Sequence, residues 1–184
     1  MKKKDALDLE IRRSIYDHIS KSPGLHEREL ARILNIPLST LDYHLNYIKQ
    51  RELVRARPDG RYTRYYIAGN VGVREGKAIS VLRQNVTRKI IMFLLLNQRS
   101  SHRDVSNHID LARSTTTFHL NKLIDFEIID YVQIGREKKY SVNEPDRISD
   151  LLISYKKTFL DKSVDRFINT WFEINPAHAK NQKK

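Results

Sequence analysis

The chain has 184 residues, no cysteine and a formal net charge of +12 at pH 7. Without cysteine, it can form no disulfide, thiol nucleophile or thiolate metal site. The excess of basic residues indicates a polyanionic partner, either nucleic acid or an acidic membrane surface, although a solvated basic surface would give the same count. The longest apolar run, residues 90–96, is too short to span a bilayer, which takes about 20 residues.

The N-terminal segment MKKKDALDLE carries lysines but no apolar stretch behind them. We therefore expect no secretory signal, no membrane association and a cytoplasmic location.

The first third of the chain predicts three helices and a hairpin. Apolar residues at four-residue spacing favour a helix over 7–20, and a second helix is expected over 27–34. After the turn at Asn35-Ile36-Pro37, a third helix begins near Ser39, which we expect to be its N-cap. An extended segment begins at Leu53-Val54 and returns over 62–67. The intervening Asp59-Gly60 is a strong hairpin signal because the turn requires positive φ.

The same pattern recurs 75 positions later. STLDYHLNY at 39–47 corresponds to STTTFHLNK at 114–122, and Gly60-Arg61 corresponds to Gly135-Arg136. A period of this length that preserves both a helix and a glycine turn indicates two copies of one folded unit. The second copy predicts helices and a hairpin over 79–97, 102–109, 114–126, 129–134 and 138–142.

These patterns divide the chain into a first domain at 5–68, a glycine-containing linker at 69–78 and a second domain at 79–145. Residues 146–175 follow as one or two amphipathic helices, and the basic tail 176–184 is expected to be disordered. A broad apolar stripe must be buried on its own chain or on a partner. We favour a homodimer, formed through Leu151, Leu152, Tyr155, Phe159, Phe167 and Trp171.

Three helices followed by a hairpin with a basic tip form the plan of a winged helix-turn-helix. The predicted fold is therefore mainly α with small β-wings, in two tandem winged helix-turn-helix domains and a C-terminal helical region. Such a third helix enters the DNA major groove, and the hairpin, or wing, contacts the backbone. The recognition-helix residues predicted to contact DNA are Ser39, Thr40, Asp42, Tyr43, His44, Asn46, Tyr47, Arg113, Ser114, Thr115, Thr116, Thr117, His119 and Lys122.

The wings are the second predicted contact, because lysine and arginine on phosphate groups dominate the affinity of DNA-binding proteins. The residues predicted to make these contacts are Arg55, Arg57, Arg61, Thr63, Arg64, Arg136, Lys138 and Lys139.

Several of these side chains have a plainer interpretation. His44 and His119 either contact DNA or are half-buried and anchor the helix to the wing. Tyr43 and Tyr47 either stack on bases or pad the helix. His102 and His108 are six residues apart, outside the spacing that places two ligands on one helix face, so we expect no metal and no cofactor. Because no nucleophile elbow, phosphate loop or paired-carboxylate site is present, we expect no enzyme.

The segments STLDYHLNYIKQRELV, RPDGRYTRYYI and STTTFHLNKLIDFEIIDYVQIGREKKYSV resemble the ArsR/MarR-like winged-helix transcription factors. The tandem arrangement with a helical C-terminus resembles archaeal regulators that carry two such domains. This resemblance covers about residues 5–172. It implies sequence-specific duplex DNA binding and a homodimer. Our interpretation is a transcription regulator, with the basal transcription machinery as a further candidate partner. Metal-sensing relatives use cysteine thiolates, which this chain lacks.

Two other functions fit the same residues. A single-stranded DNA or RNA binder would use Tyr43, Tyr47 and Phe118 as stacking platforms. A protein-interaction scaffold would use the same fold without a nucleic acid. The residues select neither an operator sequence nor activation over repression.

Overall fold

The computed structural model describes residue 7, residues 9–159 and residues 161–176. The described residues form two compact units, with the division after residue 80. Most of the predicted tail, from residue 177 onward, lies outside the described residues. In the described part of the chain, no helix has the length and apolar character needed to span a membrane.

The first unit contains three helices and a three-stranded antiparallel sheet, in which the third strand lies between the other two. The short first strand was not predicted, because two residues carry no periodicity. Helix α1 begins later than predicted, and Pro37 rather than Ser39 occupies the N-cap of α3. The elements are α1 (Glu10–Lys21), β1 (Leu25–His26), α2 (Glu27–Leu34), α3 (Leu38–Gln50), β2 (Val54–Asp59) and β3 (Tyr62–Ile67).

The hydrophobic core of the first unit is built from the predicted apolar stripes of the three helices. Leucines and isoleucines from α1, α2 and α3 are almost fully buried and pack against the inner side of the sheet. The buried helical members are Ile15, Ile19, Leu30, Leu41, Leu45 and Ile48. The opposite side of α3 is thereby left facing away from this core.

Residues 73–78, which the sequence predicts to be part of a linker, are helical. They belong to α4 (Val73–Leu82), which ends before α5 (Asn85–Leu96) begins, so the single helix predicted over 79–97 is wrong. The break is stabilised by side chains: the Thr87 hydroxyl donates to the Val81 carbonyl, and the Arg88 guanidinium donates to the Leu82 carbonyl at 2.8 Å. Apolar periodicity does not predict this break, because the hydrogen bonds that stabilise it come from the polar side chains of Thr87 and Arg88.

The second unit repeats the order of helices and strands seen in the first, and its sheet has the same strand order. Two further helices follow the hairpin. After α5, the elements are β4 (Ser100–Ser101), α6 (His102–Ile109), α7 (Arg113–Asp125), β5 (Ile129–Ile134), β6 (Glu137–Val142), α8 (Pro145–Phe159) and α9 (Lys162–Ile174).

The C-terminal helices pack on the second unit itself, where α9 contacts both α5 and α8. Leu152, Phe167 and Trp171 are 0%, 4% and 5% exposed within the single chain. Their assignment to a dimer interface is therefore wrong, because the apolar stripe is covered by its own unit. Leu151, Tyr155 and Phe159 remain half-buried.

Replacing Leu152 by alanine tests this packing. We expect the free energy of unfolding to fall by about 2–5 kcal/mol, because the change leaves a cavity in a closed core. Urea denaturation should give the same loss at low and at high protein concentration. Leu151→Ala, at the half-buried neighbouring position, is the matched control and should cost less. A loss that disappears at high concentration would indicate instead that a second copy covers this stripe.

Candidate nucleic-acid interface

Helix α7 presents a polar N-terminal half to solvent. Arg113, Ser114, Thr115 and Thr117 are exposed, whereas Leu120 and Leu123 further along the helix face the core. The N-cap position is Ala112, and no side chain caps the helix. The first-turn N–H groups therefore have no side-chain partner and can interact with an anion.

Thr116 does not belong to this polar surface. Its side chain is fully buried, and its hydroxyl donates to the Ala112 carbonyl at 3.2 Å and lies 3.2 Å from the Ser106 hydroxyl. The predicted contact of Thr116 with DNA is therefore wrong. A threonine that can bond to the preceding turn of its own helix satisfies its hydroxyl internally, and the sequence alone does not distinguish it from its exposed neighbours.

The N-terminus of α6 is held beside α7. The imidazole Nε2 of His102 lies 2.9 Å from the Thr117 hydroxyl oxygen, which also lies 2.9 Å from the Arg113 carbonyl oxygen. The N-cap of α6 is Ser101, which forms a reciprocal capping box with Asp104. Hydrogen bonds from the Ser101 backbone and side chain lower the pKa of Asp104. These contacts position two helix N-termini together.

A cleft of about 340 Å³ opens between these helix N-termini and the tip of the β5–β6 hairpin. Four cationic side chains and one carboxylate line it, so its charge is strongly positive. The carboxylate, Glu137, is partly neutralised by Lys139 at 3.0 Å. We call this site the basic cleft, and its lining residues are Ser101, His102, Arg103, Arg113, Arg136, Glu137, Lys138 and Tyr140.

The corresponding corner of the first unit has a different charge. At the positions of His102, Arg113 and Lys138, 75 residues earlier, the sequence has Glu27, Leu38 and Thr63. The Glu27 carboxylate accepts a hydrogen bond from the Tyr65 hydroxyl at 2.6 Å. Burial, this hydrogen bond and the neighbouring carboxylates raise the pKa of Tyr65.

A second carboxylate, Asp42, lies close to Glu27 on the same side of the first unit. Burial and the charge of Glu27 both raise the pKa of Asp42. Two neighbouring carboxylates repel phosphate groups. This corner is therefore much less suited to a polyanion than the basic cleft.

Two arginines of the first hairpin, Arg57 and Arg64, bind groups of their own unit. Arg64 is 4% exposed; its Nε lies 2.6 Å from the Asp59 carboxylate and its Nη1 donates to the Gly24 carbonyl at 2.8 Å. The predicted phosphate contact of Arg64 is therefore wrong, since the guanidinium is buried in an ion pair. Arg57 donates to the Val71 and Gly72 carbonyls at 3.1 and 3.0 Å.

The other hairpin residues predicted to contact phosphate differ in how exposed they are. Arg55, Arg61, Arg136 and Lys138 are exposed, whereas Thr63 and Lys139 are half-buried. In both hairpins, the glycine before the tip arginine has positive φ, +61° at Gly60 and +59° at Gly135. This turn chemistry, read from the sequence, brings Arg61 and Arg136 to the tips.

The repeated histidines are not suited to binding phosphate as cations. Burial lowers the pKa of both His44 and His119, and Arg12 and Lys122 add to the effect near each one. Both imidazoles are therefore neutral at neutral pH. Their buried Nδ1 atoms have no hydrogen-bond partner among the described residues. His44, at 9% exposure, fits the interpretation as a packing residue.

The aromatic residues of α3 have two different environments. The Arg12 guanidinium lies 3.5 Å from the Tyr47 ring centroid and that of Arg51 lies 4.9 Å away, so the Tyr47 ring is engaged with side chains of its own unit. Tyr43 is 65% exposed, as is Phe118 at the corresponding position of α7. Each ring contacts the neighbouring histidine ring, His44 or His119, edge-on, and most of its surface stays accessible to a partner.

The other predicted contacts lie at or near the surface of the third helices. Ser39 and Asn46 are exposed, and Thr40 and Asp42 are half-buried. Lys122 is half-buried and its ammonium donates to the Gln84 side-chain carbonyl at 3.2 Å, so it is held within its own unit.

The second unit matches a known family. Residues 85–131, from the start of α5 into the second hairpin, match the family model described as bacterial regulatory protein, arsR family. The chain is a winged helix-turn-helix protein. A stretch of 133 residues is also 32% identical to a relative from Methanocaldococcus jannaschii, named as the uncharacterized HTH-type transcriptional regulator MJ1398. The alignment covers 72% of this chain but only 33% of that relative, so this chain spans about a third of its length.

Two solved structures align with most of this winged-helix chain at low similarity. The DIP2311 protein from Corynebacterium diphtheriae is 14% identical over 77% of this chain and 27% of its own, with a TM-score of 0.31. A conserved hypothetical protein from Chlorobium tepidum is 16% identical over 78% of this chain and 96% of its own, with a TM-score of 0.30. Similarity to the arsR family is limited to residues 85–131, and these two structures add no argument to it.

Five residues that line the basic cleft of this winged-helix unit were not predicted as contacts. They are Ser101, His102, Arg103, Glu137 and Tyr140. The recurrence of Arg28 as Arg103 was visible in the repeat and could have identified that position. His102 had no such signal, because its role depends on the hydrogen bond to Thr117. Within the described residues, no group of three or more side chains could hold a metal ion.

Proposed function

We propose that this chain is a transcriptional regulator that binds duplex DNA sequence-specifically. The recognition helices α3 and α7 would enter the major groove, and the wings would hold the phosphate backbone. The observation that carries this proposal is the basic cleft, where four cations lie beside the uncapped N-terminus of an exposed helix. A phosphate group in this cleft would place the α7 surface against the adjacent base edges.

We propose further that the second unit binds the DNA phosphate backbone more tightly than the first unit does. Its cleft contains Arg113 and Lys138, where the first unit has Leu38 and Thr63. The first unit retains exposed Arg55 and Arg61 on its wing and exposed Asn46 on α3, and these would contribute a weaker contact.

As a homodimer, the protein would read two half-sites separated by about one helical turn, roughly 34 Å, or a multiple of it. Because Leu152, Phe167 and Trp171 are internal, such a dimer would use the half-buried side of α8, where Leu151 and Tyr155 lie. Sedimentation analysis of the full chain, with and without a duplex, would test this assembly.

The alternative with structural support is a single-stranded nucleic-acid binder. Tyr43 and Phe118 are both 65% exposed and could stack on unpaired bases. Selection from a random duplex library, followed by competition with single-stranded probes of the same sequence, separates the two functions. Duplex preference together with an enriched motif would support the regulator, and efficient competition by single strands would support the alternative.

Base recognition is tested by changing an exposed polar residue of a recognition helix. Thr115→Ala or Asn46→Ala should alter the preference among duplex sequences, with a loss of about 1–3 kcal/mol of discrimination at the affected base. Library selection with each variant measures this effect. Thr116→Ala is a useful contrast: because Thr116 is buried, it should lower stability without changing the selected motif.

A further inference from the structure

The second hairpin has an unpaired outer edge. In its sheet, β6 lies between β4 and β5, so one side of β5 has no neighbouring strand in the described part of the chain. Every residue from Asp130 to Ile134 is exposed, and Val132 and Ile134 are 53% and 55% exposed. Apolar β-branched side chains along an open strand edge favour pairing with a further strand.

The backbone groups that face this open edge belong to Tyr131 and Gln133. Ile134 and Glu137 flank the two-residue turn and pair across it, so they exchange hydrogen bonds. Because hydrogen-bonded and non-hydrogen-bonded pairs alternate along an antiparallel ladder, Tyr131 and Gln133 turn their N–H and C=O groups away from β6. The Tyr131 N–H accordingly donates to the Asp130 carboxylate at 2.7 Å. The edge therefore offers both donors and acceptors to a second strand.

The corresponding edge of the first unit is protected against such pairing. Pro58 of β2 occupies the position of Gln133, 75 residues earlier, and proline has no N–H to donate to a neighbouring strand. Arg57 occupies the position of Val132. Proline and charged side chains are common devices that keep an edge strand unpaired. Residues 131–134 of β5 include neither.

Strand β5 is complementary to itself in one antiparallel register. When Gln133 lies opposite Gln133 of a second copy, the outward N–H and C=O groups meet across a two-fold axis. The same register pairs Val132 with Ile134 of the second copy, on the side of the sheet that faces away from the core. It also places Asp130 opposite Arg136 of the second copy, so opposite charges meet at both ends. A shift by two residues would instead place Asp130 opposite Ile134.

We propose that β5 is a self-association site, at which it pairs antiparallel with β5 of a second copy of this chain. Two three-stranded sheets would thereby join into one six-stranded sheet. Asp130 would exchange its bond to the Tyr131 N–H for an ion pair with Arg136 of the second copy. This interface is separate from α8 and does not rest on the proposed DNA binding. Because one strand edge is a small interface, we expect a dissociation constant on the order of 0.1 mM.

Sedimentation equilibrium of the full chain without nucleic acid, from about 10 µM to about 1 mM, measures this association. Gln133→Pro introduces the residue that the first unit has at this position and removes an outward N–H. Since the two-fold axis uses that donor twice, we expect the dissociation constant to rise about tenfold or more. Gln133→Ala keeps the N–H and is the matched control, which should associate as the unchanged chain does.

Circular dichroism checks that both Gln133 variants keep the fold. The proposal is overturned if the unchanged chain stays monomeric at about 1 mM, or if Gln133→Pro associates as tightly as Gln133→Ala.

Exchanging the charges at the two ends tests the register. Asp130→Arg and Arg136→Asp should each weaken association about tenfold, because like charges then meet twice in every dimer. The double variant brings opposite charges together again and should recover most of the loss, as expected for two residues in contact. Additive losses in the double variant would contradict the proposed pairing.

A crosslink locates the contact on the chain. Because the sequence has no cysteine, Gln133→Cys carries a single thiol. A short bismaleimide should join two Gln133→Cys chains much faster than two Asn169→Cys chains, in which the thiol lies on the exposed surface of α9. Equal crosslinking rates would place the association elsewhere and overturn the proposal.

Discussion

Replacing Arg113 and Arg136 together by alanine is expected to weaken binding to every duplex alike, by about a hundredfold or more. Both side chains line the basic cleft, one from the start of α7 and one from the wing tip. Phosphate contacts release counterions, so the slope of log affinity against log salt should fall by about 0.9 for each lost contact. Fluorescence anisotropy with several unrelated duplexes over a range of salt concentrations measures both effects.

The matched control is Arg61→Ala, which removes the corresponding wing-tip arginine of the first unit. Its corner lacks the equivalents of Arg113 and Lys138 and has Glu27 where the second unit has His102. We therefore expect a smaller loss of affinity from Arg61→Ala than from Arg136→Ala alone. Equal losses at the two tips would contradict the unequal roles of the two units, and no loss at either tip would contradict phosphate binding by the wings.

Replacing Asp161 by alanine is expected to destabilise the second unit by about 3–5 kcal/mol, because it leaves a buried guanidinium without its counter-ion. Arg88 is 4% exposed, and its Nη2 and Nε lie 2.5 and 3.1 Å from one Asp161 oxygen. Guanidinium denaturation of the full chain measures the change. Asp165→Ala is the control: its side chain is 66% exposed, and its loss should cost within about 0.5 kcal/mol.

The same ion pair predicts a loss of stability in acid. Burial disfavours the charged form of Asp161, but hydrogen bonds from Ser163 and Arg88 outweigh it and lower the pKa to about 2. In the unfolded chain, the pKa returns to its ordinary value of 3.8. The stabilisation is therefore present above pH 3.8 and is lost as the pH falls toward 2. Asp161→Ala should lose this part of the pH dependence; an unchanged acid transition would contradict it.

Corresponding residues of the two repeats can have different structural roles. Arg13 and Arg88 occupy corresponding sequence positions, yet Arg13 is exposed on α1 whereas Arg88 is buried and fastens α5 to the residue that caps α9. Because α8 and α9 follow the second hairpin, Arg88 acquires an acidic partner, Asp161, from the start of α9. Corresponding positions therefore predict shared backbone structure more safely than shared side-chain roles.

The repeat, the helix order and the two hairpins could be predicted from the sequence. Apolar spacing determines which side of each helix is buried, and the Asp59-Gly60 and Gly135-Arg136 turns bring arginines to the tips because glycine accepts positive φ. These features depend on residues a few positions apart. The match of residues 85–131 to the arsR family agrees with that local pattern.

The tertiary structure alone decided which charged and polar side chains remain free. The Arg64 guanidinium forms a buried ion pair with Asp59, and the Thr116 hydroxyl donates to a carbonyl of its own helix. Leu152 is buried within its own unit. The cleft around His102 also arises from a contact between separate segments, the one between His102 and Thr117. The physical reason is that local periodicity specifies backbone conformation, whereas the exposure of a side chain depends on which distant groups fold against it.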